Sequence, residues 1–426
     1  MKVLMFGWEF PPHISGGLGT ACYGLTRALA GFDVDMIFVV PKLFGGEDGS
    51  FMQLKEASNI EITKEKTDTE EFWEKLKYIE VGSSLIPYLD PEVYTKLFEH
   101  TILDHNEIKS KIFSEKFDFS GEYGTSLLEE VSRYAVVASV IAAGNDFDVV
   151  HAHDWLTYPA GIAAAEISKK PLVIHVHATE FDRSGENVNP NVFEIEKRGM
   201  LAANTVITVS NLTRDKVVNR YGIDPNKVIT VHNGVDFGTG DFPDIQRGVK
   251  EKVVTFLGRI TFQKGPEYFV EAAYKVLQKD PNVRFVMAGS GDMMYRMIRR
   301  VAALKIADKF HFTGFLKGDD VLKMFALSDV YVMPSVSEPF GISPLEAMRS
   351  NVPVIISKQS GVAEVLKHAV KLDFWDVDAM ADAIYGLINY EGLTKMFKKL
   401  GKKEVENIKW DNAAFKVKNI YESLIQ

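Results

Sequence analysis

Val253-Val-Thr-Phe-Leu-Gly258-Arg259-Ile-Thr-Phe-Gln263-Lys264-Gly265 is an apolar run that breaks at a glycine and passes through a polar loop toward a helical stretch. The start of the chain has the same form: Val3–Phe6 is apolar, Ser15-Gly16-Gly17-Leu18-Gly19 is the loop, and Gly19–Ala30 reads as a helix. Further runs follow the first unit at Val34–Val40, Asp148–Ala152, Leu172–Val176, Val206–Val209 and Val228–Val231. Others follow the second at Val283–Ala288, Lys309–Phe312, Val330–Met333 and Val352–Ile356. Short runs rich in Val and Ile that do not alternate with polar residues suit strands buried on both faces. Their alternation with helices makes the sheets parallel. The expected fold is therefore α/β, with two doubly wound domains facing across a cleft. The expected domains are residues 1–243 and 244–410, with a final helix, 411–426, crossing back to the first. Phe237-Gly-Thr-Gly-Asp-Phe-Pro-Asp244 has the composition of the linker between them. Residues 42–120 are less regular, and the charge-dense Lys55–Lys77 part reads as a solvated helical insertion.

The composition narrows the function. The chain has 426 residues, 46% hydrophobic and 25% charged, which is ordinary for a folded globular protein. With 49 basic and 58 acidic residues its net charge is −9, so no chain-wide attraction to nucleic acid or anionic lipid is expected. An anionic ligand must then be held by a few placed cations and backbone amides. The longest apolar run, Ala135–Gly144, is about half the ~20 residues a membrane-spanning helix needs. The apolar start is too short for a signal peptide and reads as a buried strand. The single cysteine, Cys22, suits a reducing compartment. These features predict a cytoplasmic protein with no membrane span and no nucleic-acid partner.

In doubly wound sheets, ligands bind at the carboxyl ends of the strands, so the loops there carry the candidate chemistry. Gly16 and Gly17 let the backbone approach a ligand closely and open a helix whose free amides suit an anion. His151-Ala-His153-Asp154-Trp155 ends one strand and His175-Val-His177 the next. Alternate strand residues share a face, so the two His-x-His pairs admit a metal site, but cysteine ligands are absent and no acidic cluster with metal spacing follows. His151 and His175 read as sheet packing, and His153 as a cleft residue. Arg259 and Lys264 place two cations in a glycine-bounded loop, the combination of charge and amides that a diphosphate requires. In Ser335-Val-Ser-Glu338-Pro339-Phe340-Gly341-Ile342-Ser343-Pro344-Leu345-Glu346, Glu338 stands in a loop where a ligand is the simplest reason for a carboxylate. Glu346 has an alternative reading: with Ser343 it fits a capping box, Pro344 being the first helical residue. Gly289-Ser-Gly291-Asp292, Asn233-Gly-Val-Asp236 and Thr313-Gly-Phe315 also follow strands, and each is equally compatible with turn chemistry.

The order of these motifs resembles the retaining nucleotide-sugar glycosyltransferases of the GT-B fold, with two Rossmann-like domains. The Gly16-Gly17 loop, His-x-His-Asp-Trp and Asn-Gly-Val-Asp are similar to the glycogen and starch synthase branch. The resemblance implies catalytic roles for His153, Arg259, Lys264 and Glu338. Arg259 and Lys264 would hold the departing diphosphate, Glu338 would lie beside the transferred sugar, and His153 would bond that sugar. It further implies donor contacts from Gly16, Gly17, Gly289, Phe315, Phe340, Gly341, Ile342 and Glu346, with Glu346 on the ribose and Phe315 near the base. The implied reaction moves glucose from ADP-glucose or UDP-glucose to the non-reducing end of an α-1,4-glucan, without a metal or other cofactor. There are departures from the pattern. Ile14 stands where bacterial ADP-glucose synthases carry lysine, and His177-Ala-Thr-Glu-Phe-Asp-Arg-Ser-Gly185 is closer to archaeal-type glycogen synthases and sucrose-synthase-like relatives. Transfer to a small glycoside or disaccharide is therefore the second reading. A nucleotide-sugar 2-epimerase, a non-catalytic sugar binder and a metal-dependent hydrolase built on the histidine pairs are more distant ones.

Overall fold

The computed structural model describes residues 1–13, 16–60, 117, 119–121, 127–235 and 248–425. Two all-parallel sheets organise them. The first contains β1 (Lys2–Phe6), β2 (Asp35–Val40), β3 (Gln53–Glu56), β4 (Val149–His153), β5 (Leu172–Val176), β6 (Thr205–Thr208) and β7 (Val228–Thr230), in the order β3-β2-β1-β4-β5-β6-β7. The second contains β8 (Lys252–Leu257), β9 (Val283–Ala288), β10 (Phe310–Gly314), β11 (Val330–Met333), β12 (Val354–Ser357) and β13 (Val370–Leu372), in the order β10-β9-β8-β11-β12-β13. The molecule is thus two Rossmann-like domains facing a cleft, the GT-B arrangement.

Each sheet winds outward in one direction and then restarts beside its first strand. The reversals fall between β1 and β4 and between β8 and β11. Neighbouring connections there leave opposite faces of the sheet and open a crevice at the strands' carboxyl ends. Those crevices are where the Gly16-Gly17 loop and His153, and the Gly258–Gly265 loop and Glu338, are found.

Both faces of each sheet are covered. In the first half, Leu4, Phe6, Val150 and Ile174 point into one apolar cluster, while Val3, Met5, Val149 and Val173 point into another. The helix Trp410–Ile425 contributes Trp410, Ala414, Val417 and Tyr421 to that second cluster, against the helix Gly17–Ala30. Lys418 Nζ donates to the Phe32 carbonyl at 3.1 Å. Among the described residues no helix is long and apolar enough to cross a membrane.

Two strands have no counterpart in the apolar runs. β3 and β13 are short sheet edges containing Lys55 and Lys371, as suits strands that need no apolar face on both sides. Lys55 and Glu56 are therefore strand residues, which corrects the start of the expected helical insertion; residues 61–77 lie outside the described residues. The linker Phe237–Asp244 and the boundary at 243/244 also lie outside them.

Candidate functional site

The second crevice is built by loops so close that glycine is obligatory. A Cβ at Gly289 (φ +141°) would lie 1.8 Å from the Gly258 carbonyl oxygen, and one at Gly265 (φ +63°) 2.1 Å from that of Pro334. Backbone bonds lock the loops after β8, β9 and β10 side by side: Gly258 N donates to Ala288 O at 3.0 Å, Ile260 N to Ser290 O at 2.8 Å and Gly289 N to Gly314 O at 2.8 Å. The loop after β8 closes as a 3-10 turn, Phe262–Lys264, before the helix Pro266–Lys279.

That turn carries Lys264 to Glu338, and the ammonium and carboxylate form an ion pair. Glu338 is buried and also accepts from Ser335 Oγ at 3.3 Å, while Gly341 packs on its Cγ. Arg259, one turn earlier, is exposed and ion-pairs with none of the described residues. Two of the expected residues are thus joined, and the second cation stands free at the same loop. Among the described residues no backbone carbonyl accepts from the amides of Gly341 or Ile342. Phe340 is buried, and Ile342 packs on an apolar cluster of each half. Phe315 is 46% exposed after β10, with Lys317 Nζ 5.7 Å from its ring.

The capping box expected of Ser343 and Glu346 does not form. The helix is Ser343–Arg349, with Ile342 as N-cap and no side-chain cap. Ser343 Oγ is taken by the Tyr331 hydroxyl at 2.8 Å. Glu346 is left half-buried, its carboxyl raised above its usual range by burial and only partly drawn back by Arg349.

In the first half, Gly16 and Gly17 open the helix Gly17–Ala30, and a Cβ at either would meet nothing within 4 Å. Protein packing does not demand glycine there, so the space they keep clear is the feature to explain. Ile14 and Ser15 lie outside the described residues. His153, expected at the cleft, instead ends β4 fully buried, because its ring packs among the neighbouring imidazoles with Nδ1 3.1 Å from His177 Nε2. His151 and His175 are buried beside it, as expected of sheet packing. Burial holds His151 and His177 down at about 3. Asp154 follows with a left-handed backbone (φ +64°), its carboxyl raised by burial and partly offset by Arg183.

The halves are stitched by polar groups whose pairing the sequence did not announce. Ser337 Oγ donates to Asp182 Oδ1 at 2.6 Å, and Lys216 Nζ bonds both Ser337 Oγ, at 2.7 Å, and Asp182. Burial opposes ionisation of Asp182, but Lys216 together with the hydrogen bonds from Ser337 and the Thr179 amide outweighs it and holds the carboxyl below its usual range. Glu364 accepts from the Asn211 and Leu212 amides at 2.9 and 2.7 Å and pairs with His232 at 2.9 Å. A cavity of about 210 Å³ lies between Phe181, Asp182 and Lys216 on one side and Phe262, Val336 and Ser337 on the other. These residues are far apart in sequence, and only the facing of the two sheets brings them together.

Comparison with known proteins gives two adjoining family matches. Residues 125–238 match Glycosyltransferase Family 4, and residues 240–404 match Glycosyl transferases group 1. An uncharacterised glycosyltransferase of Methanocaldococcus jannaschii is 28% identical over 99% of this chain and 98% of its own length. A glycogen synthase of Mycobacterium tuberculosis is 25% identical over 86% of this chain and 80% of its own. The solved sucrose-phosphate synthase of Thermosynechococcus elongatus superposes with a TM-score of 0.70 at 16% identity, covering 99% of this chain and 98% of that one. The chain has the GT-B fold and is similar to glycosyltransferases, among them enzymes of the glycogen synthase type.

Proposed function

We propose that the chain is a retaining hexosyltransferase that moves glucose from ADP-glucose or UDP-glucose to the non-reducing end of an α-1,4-glucan, in the cytoplasm. The observation that carries the donor side is the Lys264–Glu338 pair at the β8/β11 crevice, with Arg259 free on the same glycine-walled loop. Departure of a nucleoside diphosphate from an anomeric carbon builds negative charge on phosphate oxygens. Fixed cations and amides stabilise that charge most in the transition state, where it is greatest. In this reading Lys264 and Arg259 receive the diphosphate, while the Gly341 and Ile342 amides face the sugar and its phosphate. Glu346 takes the ribose and Phe315 lies near the base. Gly289 sets the floor, and Gly16 and Gly17 keep the opposite wall clear. His153 bonds the sugar from the first half, and Glu338 lies by the sugar as positive charge develops there. Substitution on one face of the sugar accounts for retention without a covalent intermediate.

A donor screen by thermal shift, followed by incubation with maltooligosaccharides, tests both halves of the proposal. Stabilisation by one nucleotide-glucose and chain elongation with an α-linked product, seen by proton NMR, is the expected result. Stabilisation without elongation moves the acceptor to a small sugar, the reading that the His177–Gly185 loop favours. No stabilisation by any nucleotide sugar removes the proposal.

A further inference from the structure

β4 and β5 are parallel neighbours with His153 opposite His175. His151, His153, His175 and His177 therefore share one face and form a ladder of imidazoles. Ring centroids are 4.1 Å apart between His151 and His153, 4.3 Å between His175 and His177, and 5.3 Å between His153 and His175. Tyr421 bonds His151 Nδ1, but among the described residues no group bonds His151 Nε2, His153 Nε2 or either nitrogen of His175. Buried polar atoms without a partner are unfavourable, and of these four the one on His153 lies on a residue that also faces a buried thiol.

The helix Gly17–Ala30 supplies one more group, the fully buried Cys22. One ligand atom each from Cys22, His153 and His177 lies within 4.8 Å of the others. Ligand atoms around a tetrahedral zinc, with Zn–N about 2.0–2.1 Å and Zn–S about 2.3 Å, are themselves roughly 3.3–3.8 Å apart. Contraction by about an ångström, within rotamer adjustment, would close this set on such an ion. Imidazole nitrogen and thiolate sulfur are the ligand types zinc takes, and the ion would replace the proton that His153 Nδ1 and His177 Nε2 share at 3.1 Å. The charge suits it too. Burial chiefly opposes a bare thiolate at Cys22, and the buried carboxyls of Glu9 and Asp154 add to this; the same two carboxyls favour a cation beside the sulfur. His177, only partly buried, gives the group an edge toward solvent.

We propose that Cys22, His153 and His177 form a binding site for a borderline-soft transition-metal ion, with Zn²⁺ the case the ligand set fits. On binding, the Cys22 S–H bond breaks, its proton passes to solvent, and the sulfur pair becomes a metal–thiolate bond with no change of oxidation state. Three protein ligands leave a fourth position for water. The all-histidine set His151, His153 and His175 is the poorer host, since it brings no anionic ligand into the core. Because His153 is also assigned to the donor sugar, an occupied site inhibits transfer; this consequence alone rests on the transfer reading.

The test uses the full chain, stripped with EDTA and kept in a thiol-free reductant, and titrated with Co²⁺ and Zn²⁺. One equivalent of Co²⁺ is expected to give a near-ultraviolet thiolate-to-cobalt band and tetrahedral visible bands, both displaced by Zn²⁺. Cys22→Ala and His177→Gln are expected to abolish the ultraviolet band and to weaken Zn²⁺ binding by at least about tenfold. Cys22→Ser serves as the second variant if alanine disturbs the fold. Absence of stoichiometric binding overturns the proposal, and so does binding that survives Cys22→Ala and Cys22→Ser. Zn²⁺ is expected to inhibit wild-type transfer and to leave transfer by Cys22→Ala unaffected. Binding with the cobalt band but without inhibition keeps the site and refutes the role given to His153.

Discussion

The histidine ladder makes the first half acid-labile, and His151 shows how strongly. Its ring is fully buried, and desolvation, with a smaller contribution from His177, lowers its proton affinity to about 3 from an ordinary value of 6.5. The unfolded chain therefore binds a proton at His151 as pH falls through 6.5, while the folded chain resists until about 3. Between these values unfolding takes up a proton, so stability is complete above pH 6.5 and declines as pH falls. At pH 5 the gap amounts to about 2 kcal/mol from this residue alone, taking ~1.36 kcal/mol per unit over the interval between pH 5 and the unfolded value. His153, His175 and His177 shift in the same direction. The perturbation is His151→Gln, which retains an acceptor for Tyr421 but cannot titrate. The assay is urea unfolding between pH 7.5 and 5 in EDTA, followed by amide exchange in β4 and β5 so that the first half is observed by itself. The variant carries a constant packing cost at every pH. Its loss of stability from pH 7.5 to 5 is expected to be about 2 kcal/mol smaller than that of the wild type. Equal pH dependence in the two proteins would refute the assignment of a neutral, desolvated His151.

Other expectations follow from individual contacts. Lys264→Ala is expected to lower turnover by about 10²–10³-fold, the usual cost of one transition-state donor, with an unchanged circular dichroism spectrum; near-wild-type turnover would show that this cation does not serve the leaving group. Gly289→Ala places a methyl against the Gly258 carbonyl at a left-handed position, so a loss of about 3 kcal/mol or more is expected in denaturant titration. An unchanged midpoint would mean that the loops after β8 and β9 can part. Glu364→Ala removes the acceptor for two amides at the start of the helix Asn211–Tyr221, so exchange at Asn211 and Leu212 is expected to accelerate, while exchange in β8 is not. Uniform acceleration would indicate global destabilisation rather than a loosened junction.

The strands and the residues on their outgoing loops were legible because each is a local signal. An apolar run followed by glycine marks a strand end, and the crevice rule then selects Gly16, Gly17, Lys264 and Glu338. Contacts that depend on how the sheets face were not legible. Asp182 and Lys216 meet Ser337 across the cleft, and Glu364 meets Asn211, from distant positions; Asp182 and Ser337 stand inside quoted stretches, but nothing in those stretches marks them as partners. Cys22 escaped for the same reason: cysteine ligands looked absent beside the His-x-His pairs, yet a helix that ends 119 positions before Val149, where β4 begins, covers that face (149 − 30 = 119). The capping box failed through competition. Ser343 had the right spacing to Glu346, but a tyrosine from β11 claims its hydroxyl. Spacing gives what a side chain can reach, and tertiary packing decides which partner it takes.

That competition also bears on why Lys264 rests against Glu338. The carboxylate is nearly buried and the ammonium only 21% exposed, so neither could stand there without a counter-charge. In the proposed reaction an entering diphosphate would exchange one anionic partner of Lys264 for another, so that the cation is never left desolvated and unpaired. Glu338 is the group that loses a partner in this exchange. Ser335 Oγ remains within 3.3 Å, but a neutral hydroxyl balances only part of its charge. The remainder favours positive charge nearby, and the anomeric carbon acquires such charge as the diphosphate departs. In the proposed reaction, this one ion pair thus holds both charges that bond breaking needs, with the cation for the leaving group and the anion for the sugar. Both are fixed in place by the glycine-packed loops around them.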